Sequence, residues 1–336
     1  MVRQWPMNGR PSGDRLDADI VLGLGTASAR GDTVDVTDAA PSGPSLWLAG
    51  ARLRTLPAAV VPVLVGTAAA FDGDAGDAGG IIWWRFVLAM VVSLALQVGV
   101  NYANDYSDGV RGTDDERVGP LRLVGSGLVE PALVKRAAFL AFGFAAVAGL
   151  ALAIATSWWL VLIGVASILA AWFYTGGSNP YGYLGLGEIF VFVFFGLVAS
   201  VGSTFVQTER LDGWPVLVAV PVGLLATALL VTNNLRDIPT DRESGKNTLA
   251  VRLGDDRTRR LYVGMLMVAA ALVLVTAIGW RPEAALGLVG FLAAIRPVRV
   301  VLGGAVGPAL IPVLADTGRV QLAMGVGLAL GLVLGA

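Results

Sequence analysis

The stretch Gln97-Val-Gly-Val-Asn101-Tyr-Ala-Asn104-Asp105-Tyr-Ser-Asp108-Gly109 closes an apolar run that begins at Ile81. Amides and acids recur in it at intervals of three and four. On a helix, Gln97, Asn101, Asn104 or Asp105, and Asp108 therefore share one face and climb toward its end. The preceding run is long enough to cross a bilayer, which takes roughly 20 apolar residues. Acids in such a place are costly to bury unpaired, and they normally face a cavity and a partner. A second stretch, Asn233-Asn234-Leu-Arg236-Asp237-Ile-Pro-Thr-Asp241-Arg242-Glu-Ser-Gly245-Lys246, closes the apolar run from Trp214 in the same way. Asn234, Asp237 and Asp241 again fall three and four apart. Two acid-tipped spans of similar pattern predict one half-protein used twice.

The rest of the chain is mostly compatible with hydrocarbon. Of 336 residues, 55% are hydrophobic and only 15% charged, against about 25% charged in soluble domains; the mean hydropathy is +0.71. The expectation is an all-α polytopic protein of the cell membrane, with lipid as its surroundings. The net charge of −1 offers no basic field for nucleic acid. Cys and His are both absent. That excludes thiolate nucleophiles, imidazole bases, disulfides and most zinc and haem sites. What remains is carboxylate, Lys, Arg, Tyr, hydroxyl and amide chemistry, with a hard metal bound through oxygen.

Residues 1–45 are rich in Gly, Asp, Ser and Pro without a long apolar run. They read as a disordered, non-catalytic tail, and acids rather than Lys or Arg precede their weakly apolar segment, unlike a secretory signal. The transmembrane region, 46–336, follows. Trp47, Arg52 and Arg54 precede the first span as interface anchors do. Spans are predicted over about 56–71, 81–102, 133–154, 157–174, 188–207, 214–235, 261–280, from 284 past 295, and 320–336, nine in all, with Pro297 interrupting the eighth. The connections 103–136, 236–260 and 296–319 hold nearly all the loop Lys and Arg, whereas the alternate loops offer only Arg210 and Arg281. By the positive-inside bias, the amino terminus and both acid motifs face the cytoplasm. Arg257, Arg259 and Arg260 read as part of that positive anchor, and Asp72, Asp74 and Asp77 as solvated acids of an external loop.

Mutually repelling carboxylates on one helix face ask for a cation. Mg²⁺, held by one or two carboxylates plus waters and phosphate oxygens, suits Asp105, Asp108, Asp237 and Asp241. Lys246, Arg236 and Arg111 nearby suggest a diphosphate whose remaining oxygens they would take, with Gln97, Asn101, Asn104 and Asn234 on the same faces. The 174–188 connection has Tyr174, Asn179, Tyr181, Tyr183 and Glu188 but no Lys or Arg. It is expected to be a lid that helps hold the second substrate through Tyr174 and Asn179.

Asn104-Asp105-x-x-Asp108 and Asn234-x-x-Asp237-x-x-x-Asp241 resemble the two aspartate motifs of the UbiA superfamily of intramembrane aromatic prenyltransferases. The stretches 54–66, 104–113, 174–188 and 233–254 are most similar to its 1,4-dihydroxy-2-naphthoate polyprenyltransferase branch, which acts in menaquinone synthesis. The resemblance covers about residues 46–336. Many superfamily members carry a further Asp four residues beyond the position of Asp108; here that position is Gly112, and Asp114 is the next acid. The resemblance implies Mg²⁺-assisted transfer of a polyprenyl chain from polyprenyl diphosphate to dihydroxynaphthoate. Ionisation of an allylic diphosphate needs a neutralised leaving group and a dry cavity, and Phe190, Phe192, Phe194 and Phe195 are candidates to line a groove for the tail. Other acceptors of the same chemistry (hydroxybenzoate, homogentisate, a chlorin or haem) stay open, as does a cation-coupled transporter with acids at midspan.

Overall fold

The structure, a computed structural model, describes residues 43–72, 80–112 and 121–336. The expected 1–45 tail falls almost wholly outside these residues, as do Asp74, Asp77 and Asp114. Every regular element among the described residues is helical. In order they are α1 (Pro44–Ala51), α2 (Pro57–Ala69), α3 (Trp83–Val110), α4 (Pro131–Ala155), α5 (Trp159–Phe173), α6 (Gly187–Thr208), α7 (Gly213–Glu243), α8 (Leu249–Leu253), α9 (Asp255–Gly279), α10 (Pro282–Leu302) and α11 (Gly307–Leu334).

Seven of these are long and apolar enough to cross a membrane, and α1 with α2 adds an eighth if that pair, bent by 54°, is one span. The expected nine is corrected to seven or eight. The element responsible is α5, which is apolar but only 15 residues long; at about 1.5 Å per residue it falls short of a hydrocarbon core of roughly 30 Å. Pro297 does not divide α10, which passes the length test whole. The two acid-tipped helices run on past their apolar runs, α3 to Val110 and α7 to Glu243. The motifs are thus helical, as their spacing predicts.

Sequence explains the helix starts. Pro stands in the first turn of α1, α2, α4 and α10, where its missing N–H costs nothing and its fixed φ fits. Packing relies on small residues, as expected where lipid is as apolar as the helix surface. A Cβ on Gly66 of α2 would meet the Ser200 carbonyl of α6 at 2.1 Å, and one on Gly196 of α6 would meet the Gly223 backbone of α7 at 2.5 Å. One buried cluster joins α2, α7, α9, α10 and α11, and a second joins α1, α3, α4 and α5. The outward faces stay apolar, with Phe144, Val147 and Ile278 each more than two-thirds exposed, as lipid-facing side chains are. The chain is a multi-pass membrane protein.

Arg259 is not a surface anchor. It is buried, forks onto Asp255, and donates to the carbonyls of Val301 and Ala305. It thereby ties the start of α9 to the end of α10 and the turn that follows it. At the opposite end, Arg281 donates to the carbonyls of Phe71 and Leu332 and so ties the ends of α2 and α11 together. Burial lowers its pKa from the usual arginine value, against the nearby Asp72 carboxylate, which raises it.

Candidate active site

The ends of α3 and α7 open on one cavity of about 1040 Å³. Its polar end is lined by Asn104 and Asp108 of α3, Asn234, Asp237 and Asp241 of α7, and Lys246 just beyond α7. The two motifs meet directly. Lys246 Nζ lies 3.3 Å from Asp108 Oδ1, and the turn carrying it is fixed by its backbone N–H donating to the Asp241 carbonyl at 2.8 Å. Gly245 makes that turn at φ +74°, a conformation in which a side chain would be strained. Thr248 reaches Asp241 Oδ2 at 3.5 Å.

The 174–188 connection roofs this end. Tyr183 O–H donates to Asp108 Oδ1 at 2.8 Å, and the Lys246 ammonium sits 4.7 Å from the centre of its ring. Thr175 donates to Asn104 Oδ1 at 2.8 Å. Asn247 N–H donates to the Tyr183 carbonyl at 3.0 Å, so the roof is stitched to the segment after α7. Tyr174 lines the cavity with Tyr181 and Tyr183. Burial pushes the Tyr174 phenol well above its ordinary pKa, with Glu188, Tyr181, Asp108 and Asp241 adding to it. Burial also raises Tyr181. Both remain neutral hydroxyls.

Several expected site residues stand elsewhere. Asp105 does not line the cavity; it is fully buried and accepts the backbone N–H groups of Leu123 and Val124 at 2.8 and 3.0 Å. Its three-residue spacing puts it near the face of Asp108, but the 121–130 connection packs against α3 there and takes the carboxylate. Arg236 is likewise outside the cavity wall. Its guanidinium forks onto Asp237 at 2.6 and 2.8 Å and also donates to Asn233, so it orients a carboxylate rather than facing the cavity. Arg111 donates to the carbonyls of Thr175 and Gly177 and holds the roof. Asn179 is exposed and outside the lining. Gln97 and Asn101 do line the cavity, deeper along α3, where both donate to Thr55 Oγ1 at 3.1 and 3.0 Å. Asn234 donates to Glu188 Oε1 at 2.9 Å.

Two lining residues have other readings in the sequence, Arg122 as a positive loop charge and Arg52 as an interface anchor. Arg122 comes within 3.8 Å of Asp108 Oδ2, carried there by the loop that Asp105 holds. Arg52 reaches the wall from the break between α1 and α2. Helical spacing could reveal neither, because both lie outside the helices that carry the motifs. Away from the polar end the cavity becomes apolar between α4, α5 and α6. Phe190, Phe194 and Phe195 line it, whereas Phe192 packs on Gly223 of α7. A π-helical stretch, Phe192–Val198, displaces α6 from the regular turn here, a distortion frequent at functional sites.

The chain belongs to the UbiA prenyltransferase family, whose model matches residues 59–306. It is 50% identical over 285 residues to the 1,4-dihydroxy-2-naphthoate octaprenyltransferase of Mycobacterium leprae, covering 84% of this chain and 94% of that one. It is 51% identical over 276 residues to the protein of the same description from Mycobacterium tuberculosis, covering 82% and 92%. Among solved structures, the apo UbiA homolog of Aeropyrum pernix K1 shares the fold at a TM-score of 0.62 and 16% identity, over 82% of this chain and 97% of that one. The UbiA homolog of Archaeoglobus fulgidus bound to DMAPP and Mg²⁺ does so at 0.58 and 13%, over 85% and 98%. Membership in this family removes the transporter reading.

Proposed function

We propose that this protein transfers a polyprenyl chain from polyprenyl diphosphate to 1,4-dihydroxy-2-naphthoate, releasing diphosphate and the ring carboxylate as carbon dioxide and giving the quinol form of demethylmenaquinone, which air oxidises to the quinone. The observation that carries the reading is the meeting of two acid motifs, from α3 and α7, at the polar end of a single cavity whose remainder is apolar. A diphosphate and its hydrocarbon tail need that polarity. The identity to naphthoate octaprenyltransferases selects the acceptor.

The donor set fits Mg²⁺. Asp108, Asp237 and Asp241 offer hard oxygens from two helices, and among the described residues no three acids form a cage that would hold a metal unaided. Mg²⁺ prefers that: one or two carboxylates, with waters and phosphate oxygens filling an octahedron. Asp108, Asp237 and Asp241 would hold the ion, which when bound would supply charge neutralisation for the diphosphate leaving group.

The chain's own groups do the rest. Lys246 and Arg122, already at Asp108, take phosphate oxygens as the allylic C–O bond breaks and its electron pair leaves with the diphosphate. Arg236 holds Asp237 in place, and Tyr183 holds Asp108. The aromatic roof and apolar walls keep water from the allylic cation until a ring carbon of the acceptor attacks it. Phe190, Phe194 and Phe195 receive the proximal isoprene units.

The direct test incubates the solubilised protein with dihydroxynaphthoate, a polyprenyl diphosphate and Mg²⁺, and identifies the lipid product by mass. The expected product is the prenylated naphthoquinone, lost on chelation with EDTA and restored by Mg²⁺. Prenylation of hydroxybenzoate but not of the naphthoate would reassign the acceptor.

Orientation has its own test. The native chain has no Cys, so single cysteines report cleanly. Ser178 and Ser244 lie exposed at the acid-motif end, and Asp212 at the start of α7 at the other. Ser178→Cys and Ser244→Cys should resist an impermeant thiol reagent in intact cells, and Asp212→Cys should label. The reverse pattern would place the site outside the cytoplasm.

A further inference from the structure

Arg52 is one of two non-glycine residues with a positive φ among the described residues, at +54°. It sits where α1 stops and the bent pair turns into α2. The backbone is held there from both sides. Arg52 N–H donates to the Ala49 carbonyl at 3.2 Å, and its own carbonyl accepts from Thr55 N–H and Thr55 Oγ1 at 2.8 and 2.9 Å. Asn101 Nδ2 donates to the Ala51 carbonyl at 2.8 Å, fixing this corner against α3. A left-handed conformation costs a β-carbon-bearing residue on the order of 1–2 kcal/mol, so the corner holds Arg where Gly would be easier.

The side chain lines the cavity, yet its Nε and Nη2 are buried without a hydrogen-bond partner. No carboxylate among the described residues pairs with it. A guanidinium left with buried, unmatched N–H groups is costly. It is also the shape that grips a planar carboxylate through two parallel bonds. Of the other lining cations, Lys246 and Arg122 face Asp108, and Arg54, two residues on from Arg52, is exposed. The Arg52 corner instead lies at the level of Asn101, seven residues back along α3, or about 10 Å into the bundle at 1.5 Å per residue. It adjoins the amides Gln97 and Asn101 and the hydroxyl Thr55, groups suited to phenolic oxygens.

Building on the proposed prenyl transfer, we infer that Arg52 is the clamp for the carboxylate of the aromatic acceptor. It is a substrate-binding residue that sets acceptor specificity and orients the ring toward the diphosphate end. The left-handed turn aims its fork inward, and the missing partner is the acceptor's own carboxylate.

The test uses the full chain in detergent and titration calorimetry with two stable probes, 1-hydroxy-2-naphthoate and 1-naphthol, which differ by the carboxylate. Wild-type protein should prefer the carboxylated probe. Arg52→Gln should weaken that probe on the order of 10- to 100-fold, the scale of a lost bidentate charged pair. It should leave 1-naphthol and geranyl diphosphate unchanged. Arg52→Lys should recover part of the loss, keeping the charge without the fork. Arg52→Gly, which accepts the backbone conformation without strain, should fold and behave as the Gln variant does. Three results would overturn the assignment: no wild-type preference for the carboxylate, equal weakening of 1-naphthol, or weakened geranyl diphosphate binding, which would move Arg52 to the diphosphate. Wild-type turnover of dihydroxynaphthoate is measured separately. Its absence beside an Arg52-dependent preference would defeat the proposed reaction and leave the clamp standing.

Discussion

Asp108→Asn and Asp237→Asn each lower kcat on the order of 10³-fold, the scale seen when a group that stabilises transition-state charge is removed. Both carboxylates line the polar end of the cavity, one from each motif helix. Asn is chosen over Ala for a structural reason. Arg236 donates to both oxygens of Asp237; Ala would remove both acceptors and the side-chain volume, mixing unfolding with lost catalysis, whereas Asn removes the charge and keeps one acceptor. An amide oxygen still accepts from Arg236 and, at position 108, from Tyr183. The accompanying sign is a raised Mg²⁺ requirement in both variants. Wild-type turnover by either one at saturating Mg²⁺ would rule out a site shared between α3 and α7.

Asp105→Ala has the second largest effect, and it falls on the fold. The carboxylate is fully buried and accepts two backbone N–H groups of the 121–130 connection. Leaving those donors buried without an acceptor costs about 1–3 kcal/mol each. The loop they fix carries Arg122 to Asp108 and seats Leu123, which is fully buried. The variant should melt several degrees lower in detergent, and the protein that remains folded should lose affinity for the prenyl diphosphate through a displaced Arg122. Its Mg²⁺ requirement should stay near the wild-type value, which separates it from the position 108 variant. An unchanged melting temperature with a sharply raised Mg²⁺ requirement would return Asp105 to the metal site.

These two neighbours show where sequence reading stops. Asp105 and Asp108 belong to one motif, and their shared helix was legible from the three- and four-residue spacing. Which of them faces the cavity was not, because that depends on the rotation of α3 against α1, α4 and the 121–130 loop. Arg236 and Lys246 divide in the same way. Both are cations beside the second motif, but Arg236 folds back onto Asp237 one residue away, while Lys246 crosses to Asp108.

The amino-acid sequence by itself determined the membrane class, the helical state of both motifs, the family and the chemistry left to a chain without Cys or His. Those properties are local or compositional. Apolar length decides what crosses a bilayer, and helical periodicity decides which residues share a face. The tertiary structure alone decided that Asp105 ties a loop, that Arg259 ties α9 to the end of α10, and that Arg122 and Arg52 stand in the cavity wall. Each of those outcomes rests on contacts between segments far apart in the chain, and spacing along one helix carries no information about what will pack against it.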